Sequence, residues 1–162
     1  MYRIGFGYDS HRFAAGRPLL LGGVRIACDR GLAGHSDADA VLHAVTDAIL
    51  GGLGAGDIGE LFPDADPRWR DAASPRFIDQ AMALARQNGY AIVNCDVTVL
   101  AEQPKLSAYK QAMRENIARL LDVAAEAVCV KAKTGEGMGA IGRGEGLAAM
   151  ATVLLAKADA QR

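Results

Sequence analysis

The chain has 162 residues, of which 51% are hydrophobic and 23% charged, values that exclude a disordered chain and indicate one globular domain. The 18 Lys and Arg residues stand against 19 Asp and Glu, so the formal net charge of -1 argues against a nucleic-acid partner. No apolar run approaches the roughly 18 residues of a membrane span and no secretory signal is seen, so we expect no membrane partner. The three cysteines are far apart and form no CxxC pair, which predicts a cytoplasmic protein with reduced thiols.

The first half of the chain predicts strands followed by one apolar helix. The alternating residues Ile4 to Tyr8 are typical of a strand, and the segment Arg17 to Ile26 predicts a hairpin or a bent strand. Apolar residues at helical spacing predict a helix from Ser36 to Leu53, with Ser36 as its N-cap. A loop rich in Gly, Asp and Pro follows from Gly54 to Pro67.

The second half alternates helices and strands. Ser74 and Pro75 open a helix that ends at Asn88 and Gly89, and a glycine-rich loop follows the strand Val128 to Lys133. The other predicted elements are a strand from Ala91 to Leu100, a helix from Ser107 to Leu121 and a strand from Leu147 to Leu155. This order predicts a single α+β domain over residues 1–162, in which a mixed β-sheet carries helices packed on one face.

All three histidines lie in the first third of the chain, near acidic residues. Asp9 and His11 are two residues apart on a strand and therefore point to one face, whereas His43 lies on the first helix. Two histidines and one carboxylate suit Zn²⁺ and leave its fourth position open, as in catalytic zinc sites. Spacing alone leaves open whether His35 or His43 is the third ligand, or whether Asp9 and His11 form only a surface pair.

The first helix also carries a polar stripe formed by Asp39, His43 and Asp47 at intervals of four residues. On such an apolar helix the stripe should face a cleft or find hydrogen-bonding partners. His35 immediately precedes the predicted N-cap Ser36, so we expect it beside free backbone N–H donors that favour an anion.

Two loops could bind a ligand. The segment Gly137 to Gly142 matches G-x-G-x-x-G, but too little chain follows for a dinucleotide-binding unit, so we reject that interpretation. Side chains in and beside this loop could bind phosphate or Mg²⁺, or could be solvated on a tight turn: Lys133, Thr134, Glu136, Arg143 and Glu145. The acidic loop Asp57 to Asp66 predicts a lid or a metal-binding loop, with an ordinary acidic surface as the alternative.

Five short motifs occur in chain order: Asp9-Ser10-His11; Gly34-His35-Ser36-Asp37-Ala38-Asp39 with His43; Asp57-Ile58-Gly59 with Phe62-Pro63-Asp64-Ala65-Asp66; Pro104-Lys105; and Gly142-Arg143-Gly144-Glu145-Gly146. Together they resemble the 2-C-methyl-D-erythritol 2,4-cyclodiphosphate synthase family, without gaps, over nearly the whole chain. The resemblance implies a homotrimer with active sites between subunits, and an enzyme of non-mevalonate isoprenoid biosynthesis. The implied substrate is 4-diphosphocytidyl-2-C-methyl-D-erythritol 2-phosphate, whose 2-phosphate attacks the β-phosphorus so that CMP leaves and a cyclic diphosphate forms.

The resemblance also implies two metal ions. Asp9, His11 and His43 match the ligands of a Zn²⁺ ion. Glu136 matches a ligand of a second ion, Mg²⁺ or Mn²⁺, that lies between the substrate phosphates.

Two catalytic groups and a substrate-binding surface are implied in the same way. His35 and Thr134 match residues that align the phosphates and stabilise the transition state, and Asp57 matches a residue that binds the sugar hydroxyls. The full set of implied substrate-binding residues is Asp9, Ser10, His11, His35, Ser36, Asp57, Ile58, Gly59, Phe62, Pro63, Asp64, Ala65, Asp66, Ala101, Lys105, Leu106, Ser107, Lys133, Thr134, Gly135, Glu136, Ala140 and Arg143.

Two positions depart from the family pattern. Lys133-Thr134-Gly135 stands where many members have a run of threonines, so the local phosphate contacts should differ. Ala140 stands where many have an aromatic residue near the axial cavity of the trimer, which argues against binding of an isoprenoid diphosphate there, although Arg143 is retained.

Two other functions compete with the cyclase. A zinc-dependent phosphohydrolase of a small phosphorylated metabolite would activate water and release free phosphate. A non-catalytic trimer that binds isoprenoid diphosphates would keep its function when His43 is replaced by alanine.

Overall fold

The structure, a computed structural model of the chain, describes residues 1–63, 66, 69 and 72–158. Its strands are β1 (Tyr2–Ala15), β2 (Leu19–Leu21), β3 (Val24–Ile26), β4 (Arg30–Leu32), β5 (Tyr90–Leu100), β6 (Val128–Lys133) and β7 (Gly146–Lys157). Its helices are α1 (Ala40–Leu53), α2 (Ile58–Leu61), α3 (Pro75–Gln87), α4 (Lys110–Leu121) and α5 (Gly139–Gly142). Among the described residues, no helix combines the length and the apolar character needed to cross a bilayer.

A five-stranded sheet in the order β4-β1-β7-β5-β6 forms the centre of the fold. Strands β5 and β6 run parallel, whereas β1 pairs antiparallel with β4 and β7, and β7 pairs antiparallel with β5. Helix α1 packs on β1 and β7, α3 packs beside α1, and α4 packs against β6. The predicted α+β class with a mixed sheet is confirmed, as is the hairpin formed by β2 and β3.

Two glycines of β1 allow α1 to lie directly on the sheet. A Cβ atom at Gly5 would stand 1.7 Å from the carbonyl oxygen of Ala48, and one at Gly7 would stand 2.0 Å from that of Ala44. Real Cβ atoms do not approach backbone atoms so closely, so only glycine is compatible with this helix position. The close approach brings the first turn of α1 beside the residues that follow Gly7 on β1.

The opposite face of β1 carries large apolar side chains. Tyr2, Ile4, Phe6 and Tyr8 alternate with residues that point toward α1, and each is more than half exposed. Val93 of β5 adds a further exposed apolar side chain. A run of this kind on one sheet face is typical of a surface that is covered by another subunit.

The predicted start of the first helix is wrong. The helix begins at Ala40, and its N-cap is Asp39 rather than Ser36, because Ala38 has a positive φ of 57° that interrupts a helical path. The Asp39 carboxylate accepts hydrogen bonds from the backbone N–H groups of Val41 and Leu42. His35 therefore does not lie at the free N–H groups of this helix, contrary to the expectation.

Of the two outcomes expected for Asp39, a cleft or hydrogen-bonding partners, the structure shows the second, because its side chain is fully buried and hydrogen-bonded. The backbone N–H groups of Gly22 and Gly23, in the turn of the β2–β3 hairpin, donate to its two oxygens at 2.8 and 2.6 Å. One carboxylate thus caps α1 and fastens the hairpin to it.

Other segments agree more closely with the predictions. Helix α3, strand β5 and strand β6 match within a residue or two at each end, whereas β1 is much longer than predicted and β4 was not predicted. The predicted helix from Ser107 to Leu121 begins as a short 3₁₀ turn before α4. Segment 137–142 forms a turn and the four-residue helix α5, and the chain then enters β7 without the helix of a dinucleotide-binding unit.

Candidate functional site

Three predicted metal ligands meet in space. The Oδ2 atom of Asp9 lies 2.8 Å from Nε2 of His11 and 3.0 Å from Nδ1 of His43. One ligand atom from each of the three residues lies within 4.8 Å of the other two. The structure therefore decides the alternative that spacing left open, since His43, and not His35, completes the group.

The fold explains why these residues converge. Asp9 and His11 share the face of β1 that carries Gly5 and Gly7, so they continue the line along which α1 packs. His43 lies in the first turn of α1, where its backbone N–H donates to the carbonyl of Asp39 at 3.0 Å. Asp9, His11 and His43, which we call the metal-ligand group as candidate ligands, thus lie where a strand and a helix touch. This location favours precise positioning of their side chains.

In each imidazole, the ring nitrogen that points away from Asp9 also has a partner within hydrogen-bond distance. Nδ1 of His11 lies 2.7 Å from the backbone oxygen of Ala33, and Nε2 of His43 lies 3.0 Å from Oγ of Ser74 and 3.2 Å from Oγ of Ser36. These contacts leave Nε2 of His11 and Nδ1 of His43 as the atoms that face Asp9. Such outer contacts fix the ring orientation that a metal ion requires.

The electrostatics of the group favour a bound cation. Burial works to raise the pKa of Asp9, but the hydrogen bonds and charges of His11 and His43 outweigh it and hold that pKa well below its usual range. The hydrogen bond from Asp9 raises the pKa of His11, against the effect of burial. A metal ion and a proton therefore compete for His11, and metal affinity should rise with pH.

A cavity of about 330 Å³ opens beside the metal-ligand group. It is lined by Asp9, His11, Gly34, His35, Ser36, His43, Ile58, Gly59, Phe62, Trp69 and Phe77. We call it the first cavity. It combines polar groups at one end with apolar walls elsewhere, the usual character of a small-molecule site.

An aromatic cluster forms one wall of the first cavity. The ring centroid of Phe62 lies 4.9 Å from those of Trp69 and Phe77, and Phe77 lies 5.8 Å from the ring of His43. Sequence reasoning included Phe62 but missed Trp69 and Phe77. No local pattern marks them, because Phe77 is simply an apolar residue on the buried face of α3.

Only some residues of the acidic loop Asp57 to Asp66 line the first cavity. Ile58 and Gly59 line the first cavity, but Asp57 caps helix α2 by accepting the backbone N–H of Glu60 at 2.9 Å. Asp47 of α1 accepts the N–H of Ile58 at 2.8 Å and so ties this loop to α1, and its partial burial raises its pKa. Pro63 and Asp66 lie outside the wall of the first cavity. Asp64 and Ala65, also predicted to bind substrate, lie outside the described residues.

A second cavity of about 180 Å³ lies at the carboxyl ends of the parallel strands β5 and β6. It is lined by Ala101, Pro104, Lys105, Leu106, Ser107, Lys110, Ala132, Lys133 and Thr134. We call it the second cavity. The two cavities share no lining residue, so the structure divides the predicted site into two parts of the chain surface.

The remaining predicted residues lie near the second cavity or outside both. Oγ1 of Thr134 donates to Glu136 at 2.7 Å, and Gly135 donates its N–H to Glu102 at 3.1 Å. The other predicted residues lining neither cavity are Ser10 on the exposed side of β1, Ala140 on α5, and Arg143, which donates to Glu145 at 2.6 Å.

Comparisons with known proteins place the chain in a family. The sequence profile of the YgbB family matches residues 2–156. A 2-C-methyl-D-erythritol 2,4-cyclodiphosphate synthase of Geobacillus kaustophilus is 56% identical over 157 residues, covering 97% of this chain and 99% of the relative. The synthase of Salinibacter ruber is 53% identical over 156 residues, covering 96% of this chain and 99% of its own length.

Solved structures give the same result. A CDP-bound 2C-methyl-D-erythritol-2,4-cyclodiphosphate synthase is 40% identical with a TM-score of 0.88, covering 95% of this chain and 100% of the other. The bifunctional IspDF of Campylobacter jejuni is 46% identical with a TM-score of 0.92, and the match covers 96% of this chain. It covers 42% of the longer bifunctional chain.

Proposed function

Because the chain belongs to the YgbB family, whose relatives named above are cyclodiphosphate synthases, we propose that it closes the ring of 2-C-methyl-D-erythritol 2,4-cyclodiphosphate. The substrate is 4-diphosphocytidyl-2-C-methyl-D-erythritol 2-phosphate. An oxygen of its 2-phosphate forms a bond to the β-phosphorus, the bond from that phosphorus to the oxygen of CMP breaks, and CMP leaves. The observation that carries the proposal is the convergence of Asp9, His11 and His43 at one end of the first cavity.

The donor set of this group fits a zinc ion. One carboxylate and two imidazoles are common zinc ligands, and both outward-facing ring nitrogens already have partners within hydrogen-bond distance. We assign Asp9, His11 and His43 as the residues that would hold the ion. When bound, it would supply a Lewis acid for a phosphate oxygen of the substrate.

Glu136 fits the second, harder cation, Mg²⁺ or Mn²⁺. Its carboxylate is exposed and lies against the hydroxyl of Thr134, next to the second cavity. Mg²⁺ in phosphate-handling sites is commonly bound by one or two carboxylates together with substrate phosphates. A single protein carboxylate at this position is consistent with that pattern.

The main task of the protein side chains is to bind the substrate and to orient its phosphates. The attacking group belongs to the substrate, so no protein nucleophile is needed, and holding it against the phosphorus supplies roughly 7–11 kcal/mol in favourable intramolecular cases. His35 and Thr134 would contact the phosphates and stabilise charge that develops on them. We assign Ile58, Gly59 and Phe62 to the methylerythritol moiety, with Asp57 on its hydroxyls.

The cytidine moiety belongs in the second cavity. Ala101, residues 104–107, Lys133 and Thr134 supply most of its walls, with backbone groups and small side chains available for a base and ribose. We assign Lys105 and Lys133, which line this cavity, to the substrate phosphates, and we keep Ala140 and Arg143, which line neither cavity, as further substrate-binding residues.

We propose a homotrimer whose active sites each combine the first cavity of one subunit with the second cavity of its neighbour. Two observations support it: the cavities share no lining residue, and the exposed apolar face of β1 calls for a covering subunit. We further propose that the chain acts as a single synthase domain in the cytoplasm.

Subunit complementation tests this arrangement. His43→Ala damages only the first cavity and Thr134→Ala only the second, so each variant alone should be nearly inactive. Co-expressed, they should recover about a quarter of wild-type activity, because a random mixture rebuilds intact cavity pairs at that frequency. The matched control pairs His43→Ala with Asp9→Ala, which share a cavity and should not complement. No recovery in the first mixture would contradict sites shared between subunits.

Phosphorus NMR tests the reaction. Purified protein with the cytidylyl substrate and Mg²⁺ should produce a cyclic diphosphate and CMP in equal amounts, and a strong chelator should stop both. The competing hydrolase would instead release free phosphate, since water and not the 2-phosphate would attack. Protein shown to contain zinc that yields no cyclic diphosphate would refute the proposed reaction.

A further inference from the structure

Ser74 stands at the N-cap position of α3 but does not cap that helix. Its backbone angles are helical, at φ −56° and ψ −28°, and its side chain makes no capping hydrogen bond. Serine at this position usually accepts a backbone N–H of the first turn. The hydroxyl is fully buried and must therefore have another use.

Both sides of the Ser74 hydroxyl are occupied. On one side Oγ donates to Oδ1 of Asp37, whose Oδ2 accepts the backbone N–H of Ser74 at 2.9 Å. On the other side the same Oγ lies 3.0 Å from Nε2 of His43. An ionised carboxylate only accepts hydrogen bonds, so the single hydroxyl proton belongs to the contact with Asp37.

The direction of the second contact follows from the first. Because the Ser74 proton is used on Asp37, Oγ can only accept from His43, and Nε2 must carry the proton. Nδ1 of His43, which lies 3.0 Å from Oδ2 of Asp9, is then the nitrogen whose lone pair would be available to the proposed ion, once the ion displaces any proton shared with Asp9. Ser36 is the more distant partner, since its Oγ lies 3.2 Å from Nε2, and its second lone pair can accept from Nε2 while the first accepts the N–H of Ala38.

We propose that Asp37 and Ser74 are positioning residues, which together fix His43 in the one tautomer and ring orientation that can ligate a metal ion. The arrangement resembles a carboxylate–histidine–metal triad, with a serine hydroxyl inserted between the carboxylate and the imidazole. It also links the ligand to helix α3, because Ser74 begins the helix whose Phe77 packs against the ring of His43. The inference rests on the proposed metal-dependent function.

Zinc affinity provides the first test. In metal-free protein titrated against a chromophoric chelator, Ser74→Ala should bind zinc about 10- to 100-fold more weakly than the wild type. Asp37→Asn should weaken binding to a smaller extent, because an amide can keep only one of the two hydrogen bonds to Ser74. Zinc binding by Ser74→Ala at wild-type strength would overturn the proposal.

Thr46→Val is the matched control. Thr46 is a fully buried hydroxyl on the same helix as His43, where it donates to the carbonyl of Leu42 at 2.8 Å and lines neither cavity. Its loss should leave zinc affinity within about twofold of wild type, because its hydroxyl bonds to Leu42 and not to a proposed metal ligand. An equal loss in both variants would show a general packing effect and would also overturn the proposal.

The tautomer of His43 provides a second readout that does not depend on metal binding. In metal-free protein labelled with ¹⁵N-histidine, Nε2 of His43 should be protonated in the wild type and only partly protonated in Ser74→Ala, whether or not Nδ1 shares a proton with Asp9. If the wild type binds no zinc, the proposed function fails, but this measurement still tests whether Asp37 and Ser74 position His43. An unchanged tautomer in Ser74→Ala would refute the positioning role.

Discussion

Replacing His43 by alanine is expected to release the metal ion and to lower turnover by about 10³-fold, because a Lewis acid is worth several kcal/mol of transition-state stabilisation. The change leaves a carboxylate and one imidazole, too few protein ligands for a catalytic zinc site. Metal content by mass spectrometry and the rate of CMP release would be measured together.

The fold should survive this change. His43 borders the first cavity, so truncation enlarges an existing space and opens no new void in the core. Circular dichroism of the variant should match the wild type, and Thr46→Val on the same helix should keep both its zinc and its turnover. A His43→Ala protein that turns over within tenfold of wild type would exclude a metal held by this residue.

The Gly7→Ala variant is expected to lose about 3 kcal/mol of unfolding free energy, at the upper end of overpacking effects. The new methyl would lie 2.0 Å from the oxygen of Ala44 and 2.7 Å from the nitrogen of Ala48, and neither backbone atom can rotate away. Helix α1 must therefore move off β1, which separates His43 from Asp9. Urea denaturation should show the lost stability, and zinc titration should show weakened binding.

Gly51→Ala is the control for this prediction. Gly51 lies within α1, where the nearest atom to an added Cβ is the oxygen of Phe6 at an ordinary contact distance of 3.8 Å. Alanine there should stabilise the protein by about 0.5–1 kcal/mol through helix propensity. If Gly7→Ala unfolds at the same urea concentration as wild type, the helix does not depend on the glycine contact.

Periodic residues made much of the fold predictable. Strand β5 alternates buried Cys95, Val97 and Val99 with less buried neighbours, and α3 carries a proline at its start, so both could be located from local pattern. The start of α1 could not be located in this way. Ser36 and Asp39 are both good N-cap residues, and the choice depends on Ala38 and on a hairpin turn many residues away.

The candidate site was predictable in its chemistry but not in its geometry. Carboxylate and imidazole side chains marked the metal ligands, yet only the approach of α1 to β1 selects His43 over His35. Ser74 was expected only to open a helix with Pro75, and its contact with His43 spans 31 positions of the chain. Contacts at that separation leave no periodic trace in the sequence.

Strand β1 serves two purposes with alternate residues. Odd-numbered positions from Gly5 to His11 seat the helix and carry two of the proposed metal ligands, while even-numbered positions from Tyr2 to Tyr8 present the apolar surface proposed for assembly. A shift of β1 by one residue would exchange the faces of the odd- and even-numbered side chains. The aromatic rings would then point toward α1, and the Asp9 carboxylate would point away from it. The proposed catalysis and the proposed assembly therefore both depend on the register of β1, and a change of register would affect both.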